Sequence, residues 1–306
     1  MKSIDIIIPV YNEQDNIGTL VQSIDHVMSP LPYTYKIILI DDGSKDKTFE
    51  VIQALAKVNT HIQYISFSRN FGHQVALKAG LDKSTADCAI SLDGDLQHPP
   101  ELIPEMIAKW LEGYDVVYTI RKETNKEGIV KKTTSSWFYS LMNKMADLEI
   151  EEGTADFRLV SQRVVNVLRD LTENELFFRG LVKWLGFSQI GIEYTPNERL
   201  AGKSKYTLKK MIRFALQGIT SFSTKPLYIA AYLGFAFSLI SLLYLPYALY
   251  SHFTGQDVRG WTSMIMTVAF FGGLQLSILG IIGLYLGKVF MQVKKRPLYI
   301  IRDTNL

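Results

Sequence analysis

The sequence predicts an α/β domain built on a mostly parallel sheet, followed by a hairpin of two membrane-spanning helices. Three observations predict it. Short apolar runs alternate with helical stretches over residues 1–120. Three of those runs end in clusters of acidic and polar residues, Pro9–Glu13, Asp41–Ser44 and Asp93–Gln97. Far downstream, Leu227–Tyr250 and Trp261–Gly287 hold no charged residue at all.

The elements follow in order. Ile4–Val10 is a near-continuous apolar run and predicts a strand; Asn16–Met28 predicts a helix. Tyr35–Ile40 predicts a second strand, ending at Asp41-Asp42-Gly43-Ser44, with a helix over Thr48–Lys57. A strand over Ile62–Phe67, a helix over Gln74–Lys83 and a strand over Cys88–Leu92 come next. Pro100–Glu112 predicts a helix that opens on proline, which suits a first helical turn, and Asp115–Ile120 a strand. Strands without polar alternation, each followed by a helix, belong in a parallel sheet covered on both faces. Ligands of such sheets bind at the carboxyl ends of the strands, where the three clusters fall. Beyond them, Thr124–Ser136 is polar and lysine-rich and reads as a loop, and Phe138–Met145 as a helix. Lys203–Ser223 sets a basic face against Leu208, Met211, Ile212, Leu216 and Ile219, as a helix at a membrane surface would.

Each charge-free segment is long enough to cross a hydrocarbon core of about 30 Å. Lys205, Lys209, Lys210, Arg213 and Lys225 precede the first, and Lys288, Lys294, Lys295 and Arg296 follow the second. That bias places both flanks in the cytoplasm and the Ser251–Gly260 loop outside. The expected division is therefore a cytoplasmic catalytic domain over 1–205, an interface helix over 206–225, and two spans with a cytoplasmic tail over 226–306.

The 306 residues carry a net charge of only +3, dispersed along the chain, which gives no case for nucleic acid. The single cysteine, Cys88, sits in an apolar run and excludes a disulfide framework. No signal peptide is visible at the start. No glycine-rich dinucleotide fingerprint follows a strand, Gly202-Lys203-Ser204 fails as a phosphate loop because Asn197 holds the earlier glycine position, and the five histidines lack metal-ligand spacing.

The Asp93-Gly94-Asp95 pair suits a hard divalent cation. Such ions take oxygen ligands, often one or two carboxylates completed by substrate phosphates, and Gln97 adds a neutral oxygen. Taken alone, three residues are a weak signal.

Six stretches in order make a stronger one: IIIPVYNEQDNI, LIDDGSKDKT, SRNFGHQVALKAG, LDGDLQHPPE, TADFRLVSQRVV and RLAGKSKY. With the two apolar segments, the chain resembles over essentially its whole length the inverting family 2 glycosyltransferases that load a sugar onto a polyprenyl phosphate. It is most similar to the bacterial bactoprenol glucosyltransferases, and more distantly to the dolichyl-phosphate mannose synthases. The resemblance implies the GT-A nucleotide-diphosphosugar fold and Mg²⁺ or Mn²⁺. It implies that Asp93, Asp95 and Gln97 hold the metal and diphosphate, and that Asp156 is the catalytic aspartate. Pro9, Tyr11, Glu13, Asp41, Arg69, Gly72, Arg199 and Lys205 would contact the nucleotide sugar, and Arg121, Lys131 and Lys132 the acceptor phosphate. Arg158 could equally be a plain ion-pair partner of Asp156. The implied reaction is transfer of a hexose, glucose, from UDP-glucose to undecaprenyl phosphate in the bacterial inner membrane, by a homo-oligomer that relatives suggest is a tetramer. GDP-mannose or a modified UDP-sugar is the alternative donor. A processive polysaccharide synthase is disfavoured because Arg179–Trp184 does not supply the Q-x-x-R-W signature. The acidic motifs disfavour a non-catalytic membrane protein.

Overall fold

The computed structural model describes residues 1–122, 145, 151, 153–174, 176–195, 220–254 and 260–306. An eight-stranded sheet forms its centre. The N-terminal half alternates strand and helix: β1 (Ser3–Val10), α1 (Ile17–Met28), β2 (Thr34–Asp41), α2 (Thr48–Val58), β3 (Ile62–Phe67), α3 (His73–Lys83) and β4 (Cys88–Ser91). A single 3₁₀ turn, Pro100–Leu102, leads into α4 (Ile103–Leu111) and β5 (Val116–Arg121). Then come β6 (Thr154–Ser161), α5 (Gln162–Asp170), α6 (Phe178–Trp184) and β7 (Gln189–Tyr194). Two long helices, α7 (Lys225–Phe253) and α8 (Trp261–Val293), precede β8 (Ile301–Thr304).

The order across the sheet is β7-β5-β6-β4-β1-β2-β3-β8. β4, β1, β2 and β3 run parallel to one another, and β7 runs parallel to β5. β6 is antiparallel to both β4 and β5, and β8 is antiparallel to β3. β1 is buried on both faces, which is why its sequence shows no polar alternation. Ile4, Ile6 and Ile8 face a core shared with α1 and α4, while Ile7 faces α3. Gly80 lets α3 lie close on the sheet, since a Cβ there would come within 2.3 Å of Ile7 Cγ2 and 2.9 Å of Ile40 Cδ1.

All five strands expected before residue 121 are present, with ends shifted by at most one residue. Three further strands are not in the sequence reading. The segment expected as a free tail is part of the sheet: β8 pairs with β3, Tyr299 stacks on Phe67 at 5.1 Å, and its hydroxyl donates to Asp82 at 3.1 Å. The sheet therefore draws on residues beyond the expected 1–205 division.

The described stretch Met264–Val293 of α8 is long and apolar enough to cross a membrane, and the described apolar stretch of α7, Lys225–Ile240, is shorter. Large apolar side chains on both helices are exposed, among them Tyr232, Phe235, Leu276 and Leu284. The expected loop over Thr124–Ser136 and the helix over Phe138–Met145 lie outside the described residues, apart from Met145. So does the amphipathic helix over Lys203–Ser223, apart from its last four positions.

The base of α8 is tied to the residues just before α7 and to the loop after α5. Tyr285 donates to the Ser223 carbonyl at 2.7 Å, Lys288 to Ser221 Oγ at 3.2 Å, and Gln292 Nε2 to the Thr172 carbonyl at 2.8 Å.

Candidate active site

Strand register brings the acidic residues together. β4 and β6 are antiparallel with Ser91 opposite Arg158. Two residues beyond Ser91 lies Asp93, and two residues before Arg158 lies Asp156. The carboxyl end of β4 is thus set beside the first half of β6, and Ser91 Oγ fastens the two by donating to the Asp156 carbonyl at 2.6 Å. Residues 65 positions apart become neighbours.

The head of α3 sits over this junction. His73 Nε2 lies 2.8 Å from Asp93 Oδ1, and Gln74 Nε2 lies 3.5 Å from Asp156 Oδ2. Burial opposes charging of His73, but the Asp93 carboxylate overrides it and lifts the imidazole to about 9. His98, buried against Phe157, accepts the Asp93 amide at Nδ1 and has Nε2 3.8 Å from Asp93 Oδ2. Burial alone would raise the Asp93 carboxyl; the two imidazoles hold it below its ordinary value. Asp95 caps its own turn by accepting the Gln97 amide at 3.2 Å.

Asp156 is held more firmly. Arg179 on α6 donates Nε to Oδ1 at 2.9 Å and Nη2 to Oδ2 at 3.0 Å, a bidentate pair. Arg158 Nη2 stands at 3.7 Å, so the ion pair weighed in the sequence exists, but as the longer of two. Burial works against ionising Asp156; Arg179, then Arg158, outweigh it and push the carboxyl far below the carboxylate range. Burial also depresses Arg158 to about 10.

Tyr194, on β7, lies at the centre of these charges. Burial pushes its phenol up to about 12, and Arg121, Asp93, Asp95 and Arg179 all lie near enough to act on it. Arg121 itself is exposed at the end of β5, with its amide bound to the Gly153 carbonyl at 2.9 Å.

The expected nucleotide side is a second group. Pro9, Tyr11 and Gly72 line one cleft of about 180 Å³ with Asp42, Asn70 and His73. Asp42 ties the strand end to that loop by accepting the Phe71 and Gly72 amides at 2.6 and 2.9 Å. Asp41 is fully buried and accepts the Ser44 amide at 2.9 Å and Ser66 Oγ at 2.8 Å. Arg302 of β8 reaches the same place: its Nη2 donates to Ser66 Oγ at 2.8 Å and lies 3.6 Å from Asp41 Oδ2. Glu13 accepts from Asn16 at 2.6 Å, and Arg69 lies over the Phe71 ring at 4.0 Å. Arg199, Lys205, Lys131 and Lys132 lie outside the described residues.

The donor set suits a hard cation. Asp93 and Asp95 offer carboxylate oxygens at one strand end, and among the described residues no cluster of three metal-binding side chains gathers. Two carboxylates completed by substrate phosphates is the arrangement Mg²⁺ commonly takes.

Sequence reasoning missed His73, His98, Gln74 and Arg179. His73, Gln74 and Arg179 lie far along the chain from the aspartates they meet, and His98 follows Asp93 by five residues; the available signal is that His73, Gln74 and His98 stand inside two of the six motifs.

The profile of glycosyl transferase family 2 matches residues 5–169. An uncharacterized glycosyltransferase of Bacillus subtilis, YkcC, is 43% identical over 300 residues, covering 98% of this chain and 93% of the relative. The SfII prophage-derived bactoprenol glucosyl transferase of Shigella flexneri is 40% identical over 303 residues, covering 99% and 98%. Its prophage homologue in Escherichia coli is 39% identical over 300 residues, covering 98% of each chain. Among solved structures, mannosyl-3-phosphoglycerate synthase from Rubrobacter xylanophilus aligns over 71% of each chain with a TM-score of 0.48 and 16% identity.

Proposed function

The chain belongs to glycosyl transferase family 2 and is a glycosyltransferase, and from that premise we propose that it moves glucose from UDP-glucose to undecaprenyl phosphate at the cytoplasmic face of a bacterial inner membrane. The observation that carries this reading is the position of α6. Its Arg179 grips Asp156 at the acidic strand ends, and its Gly180 packs against Phe222 at the foot of the apolar helices. An anionic site backed directly onto lipid-facing helices suits an acceptor whose tail stays in the bilayer. Bactoprenol glucosyl transferases of nearly equal length, similar from end to end, support the choice of glucose and of acceptor.

In this reading Pro9, Tyr11, Glu13, Asp41, Arg69 and Gly72, with Arg199 and Lys205, take the nucleotide sugar. Asp93, Asp95 and Gln97 hold Mg²⁺ or Mn²⁺, which supplies positive charge for the departing diphosphate. The acceptor phosphate has a second pKa of about 6 and is largely a dianion at neutral pH, so a strong base is unnecessary. A phosphate oxygen bonds to the anomeric carbon as the bond to UDP breaks on the opposite face, inverting the centre. Asp156 orients the reactants, and Arg121 with Lys131 and Lys132 offsets repulsion between two anions. Both α7 and α8 cross the membrane. The pairing of β8 with β3 supports that topology, because α8 must then end on the side where α7 begins.

The test offers purified full-length protein radiolabelled UDP-glucose or GDP-mannose with a short polyprenyl phosphate and Mg²⁺ or Mn²⁺. A β-linked glucosyl phosphate lipid is expected. Transfer from GDP-mannose but not UDP-glucose would remove the sugar assignment. A polymer formed without polyprenyl phosphate would remove the acceptor.

A further inference from the structure

The last strand of the chain reaches the turns that frame the expected donor cleft. Arg302, on β8, donates Nη2 to Ser66 Oγ at 2.8 Å, and Ser66 Oγ donates onward to Asp41 Oδ2 at 2.8 Å. The same guanidinium nitrogen stands 3.6 Å from that oxygen, and no other cation pairs with Asp41 among the described residues. Asp41 is fully buried, and its other oxygen, Oδ1, accepts the Ser44 amide at 2.9 Å. A buried carboxyl group depends on such partners, since water cannot replace them. Arg302 lies outside all six sequence motifs.

Ser44 carries the connection into the turn after β1. Its Oγ accepts the Asn12 amide at 3.0 Å, and Asn12 Oδ1 accepts the Lys45 amide at 2.9 Å. Asn12 has φ 56°, a left-handed conformation that costs energy in a residue other than glycine and persists where neighbours enforce it. Tyr11, beside it, lines the cleft. A second route runs through the head of α2. The Arg302 guanidinium lies over the Phe49 ring at 4.8 Å, and Thr48 Oγ1, next along the chain, accepts the Glu13 amide at 2.9 Å. β8 also flanks the other wall: the Ile300 carbonyl accepts the Ser68 amide at 3.0 Å, two residues before cleft-lining Asn70.

We propose that Arg302 is a positioning residue for donor binding: through Asp41 and Ser44 it holds the Tyr11–Glu13 turn in the shape that receives the nucleotide. The proposal rests on the reading that this cleft takes the nucleotide of the donor, and it adds a residue from beyond both long helices. Arg302 acts through Asp41 and not on the reacting atoms. The donor site is then complete only when β8 stands in the sheet. Holding a loop in its bound shape before the ligand arrives raises affinity, because less freedom is lost on binding.

The experiment titrates full-length protein in detergent, with Mg²⁺ present, with UDP and with GDP, and records donor and acceptor saturation curves. Arg302→Met removes the cation and keeps an unbranched side chain against Phe49. Thr304→Val is the control: it removes the bond from Thr304 Oγ1 to the Tyr64 carbonyl at 2.8 Å and loosens β8 without touching Asp41. Arg302→Met is expected to weaken UDP about fivefold, the equivalent of one net hydrogen bond. Its donor KM should rise by a similar factor, with kcat and acceptor KM unchanged, and Thr304→Val should bind UDP as wild type does. Should Arg302→Met lack a melting transition, Ser66→Ala, which removes the relaying hydroxyl, decides in its place. Unchanged UDP affinity in the folded variant overturns the proposal. So does an equal loss in Thr304→Val, which leaves Arg302 only a strand-holding part, and so does a fall in kcat without a rise in donor KM. Wild type that binds GDP in place of UDP overturns the donor assignment alone, and the variants are then compared with GDP. Wild type that binds neither nucleotide overturns the reading of the cleft and this inference with it.

Discussion

Arg179 holds both oxygens of Asp156, Nε to Oδ1 at 2.9 Å and Nη2 to Oδ2 at 3.0 Å, across 23 residues of sequence. A carboxylate pinned in this way and kept far below its ordinary pKa is a poor proton acceptor. Because the folded value is depressed, the ionised form persists through neutral and mildly acidic pH. The stability that Asp156 contributes is present above the unfolded carboxylate pKa of about 3.9 and is lost only as pH falls through the lower folded value. Transfer rates should therefore show no Asp156 titration between about pH 5 and 8. Any acid limb should follow the acceptor's own phosphate, near about pH 6. Rate profiles with two acceptors of different phosphate pKa check this, because the limb must move with the acceptor. In Arg179→Met the buried carboxylate loses its main cation, and a new acid limb should enter above about pH 4.

Asp93→Asn and Asp95→Asn should each lower transfer at least about a hundredfold, the scale of several kcal/mol of metal-derived charge stabilisation. Excess chelator should have a similar effect on wild type, reversed by Mg²⁺ or Mn²⁺. A transfer assay over a metal titration measures both. Wild-type turnover in Asp95→Asn would remove the metal role.

Gly43 has φ +67°, and a Cβ there would lie 2.4 Å from the Arg69 carbonyl carbon and 2.7 Å from the Asn70 nitrogen. Gly43→Ala must push the β2 loop away from the Arg69–Gly72 loop. The expected cost is about 1–3 kcal/mol of stability, with a higher KM for the donor. Thermal melting and donor saturation curves report the two effects separately. An unchanged donor KM would detach this loop from nucleotide binding.

Arg302→Ala removes the donor to Ser66 Oγ and the cation 3.6 Å from buried Asp41. A loss of about 1 kcal/mol is expected from the hydrogen bond. Denaturant unfolding of the variant beside wild type measures it, and a change below error would make the contact incidental.

The strands β1 to β5 were legible because burial on both faces leaves an unbroken apolar run, as in Ile4–Val10. β6 was not read as a strand, since Asp156 and Arg158 interrupt its apolar character where it passes the site. β7 includes Gly191 and several half-exposed positions, and β8 alternates half-buried with exposed residues. Neither shows a core pattern, and β8 becomes a strand only by pairing with β3. Within the site, Asp93 and Asp95 announce themselves by spacing and by their place after an apolar run. Arg179 does not, because its partner is chosen by the packing of α6 on β6 and by nothing local. His73 and His98 were dismissed for lacking metal-ligand spacing; one stands at the head of α3 and the other beyond the β4 turn, and both meet at Asp93.

The pairing of β8 with β3 carries a consequence for biogenesis. Thr304 Oγ1 closes onto the Tyr64 carbonyl across 240 residues of chain. Such long-range pairing comes late, after the intervening segments are made. Until then β3 presents an open edge, the kind of surface that invites mispairing between chains. On the topology proposed above, a chain whose apolar helices crossed the bilayer an odd number of times would hold β8 on the far side and leave that edge bare. Closure of the sheet is thus tied to the placement of the apolar helices, since β8 reaches β3 only after both have been made.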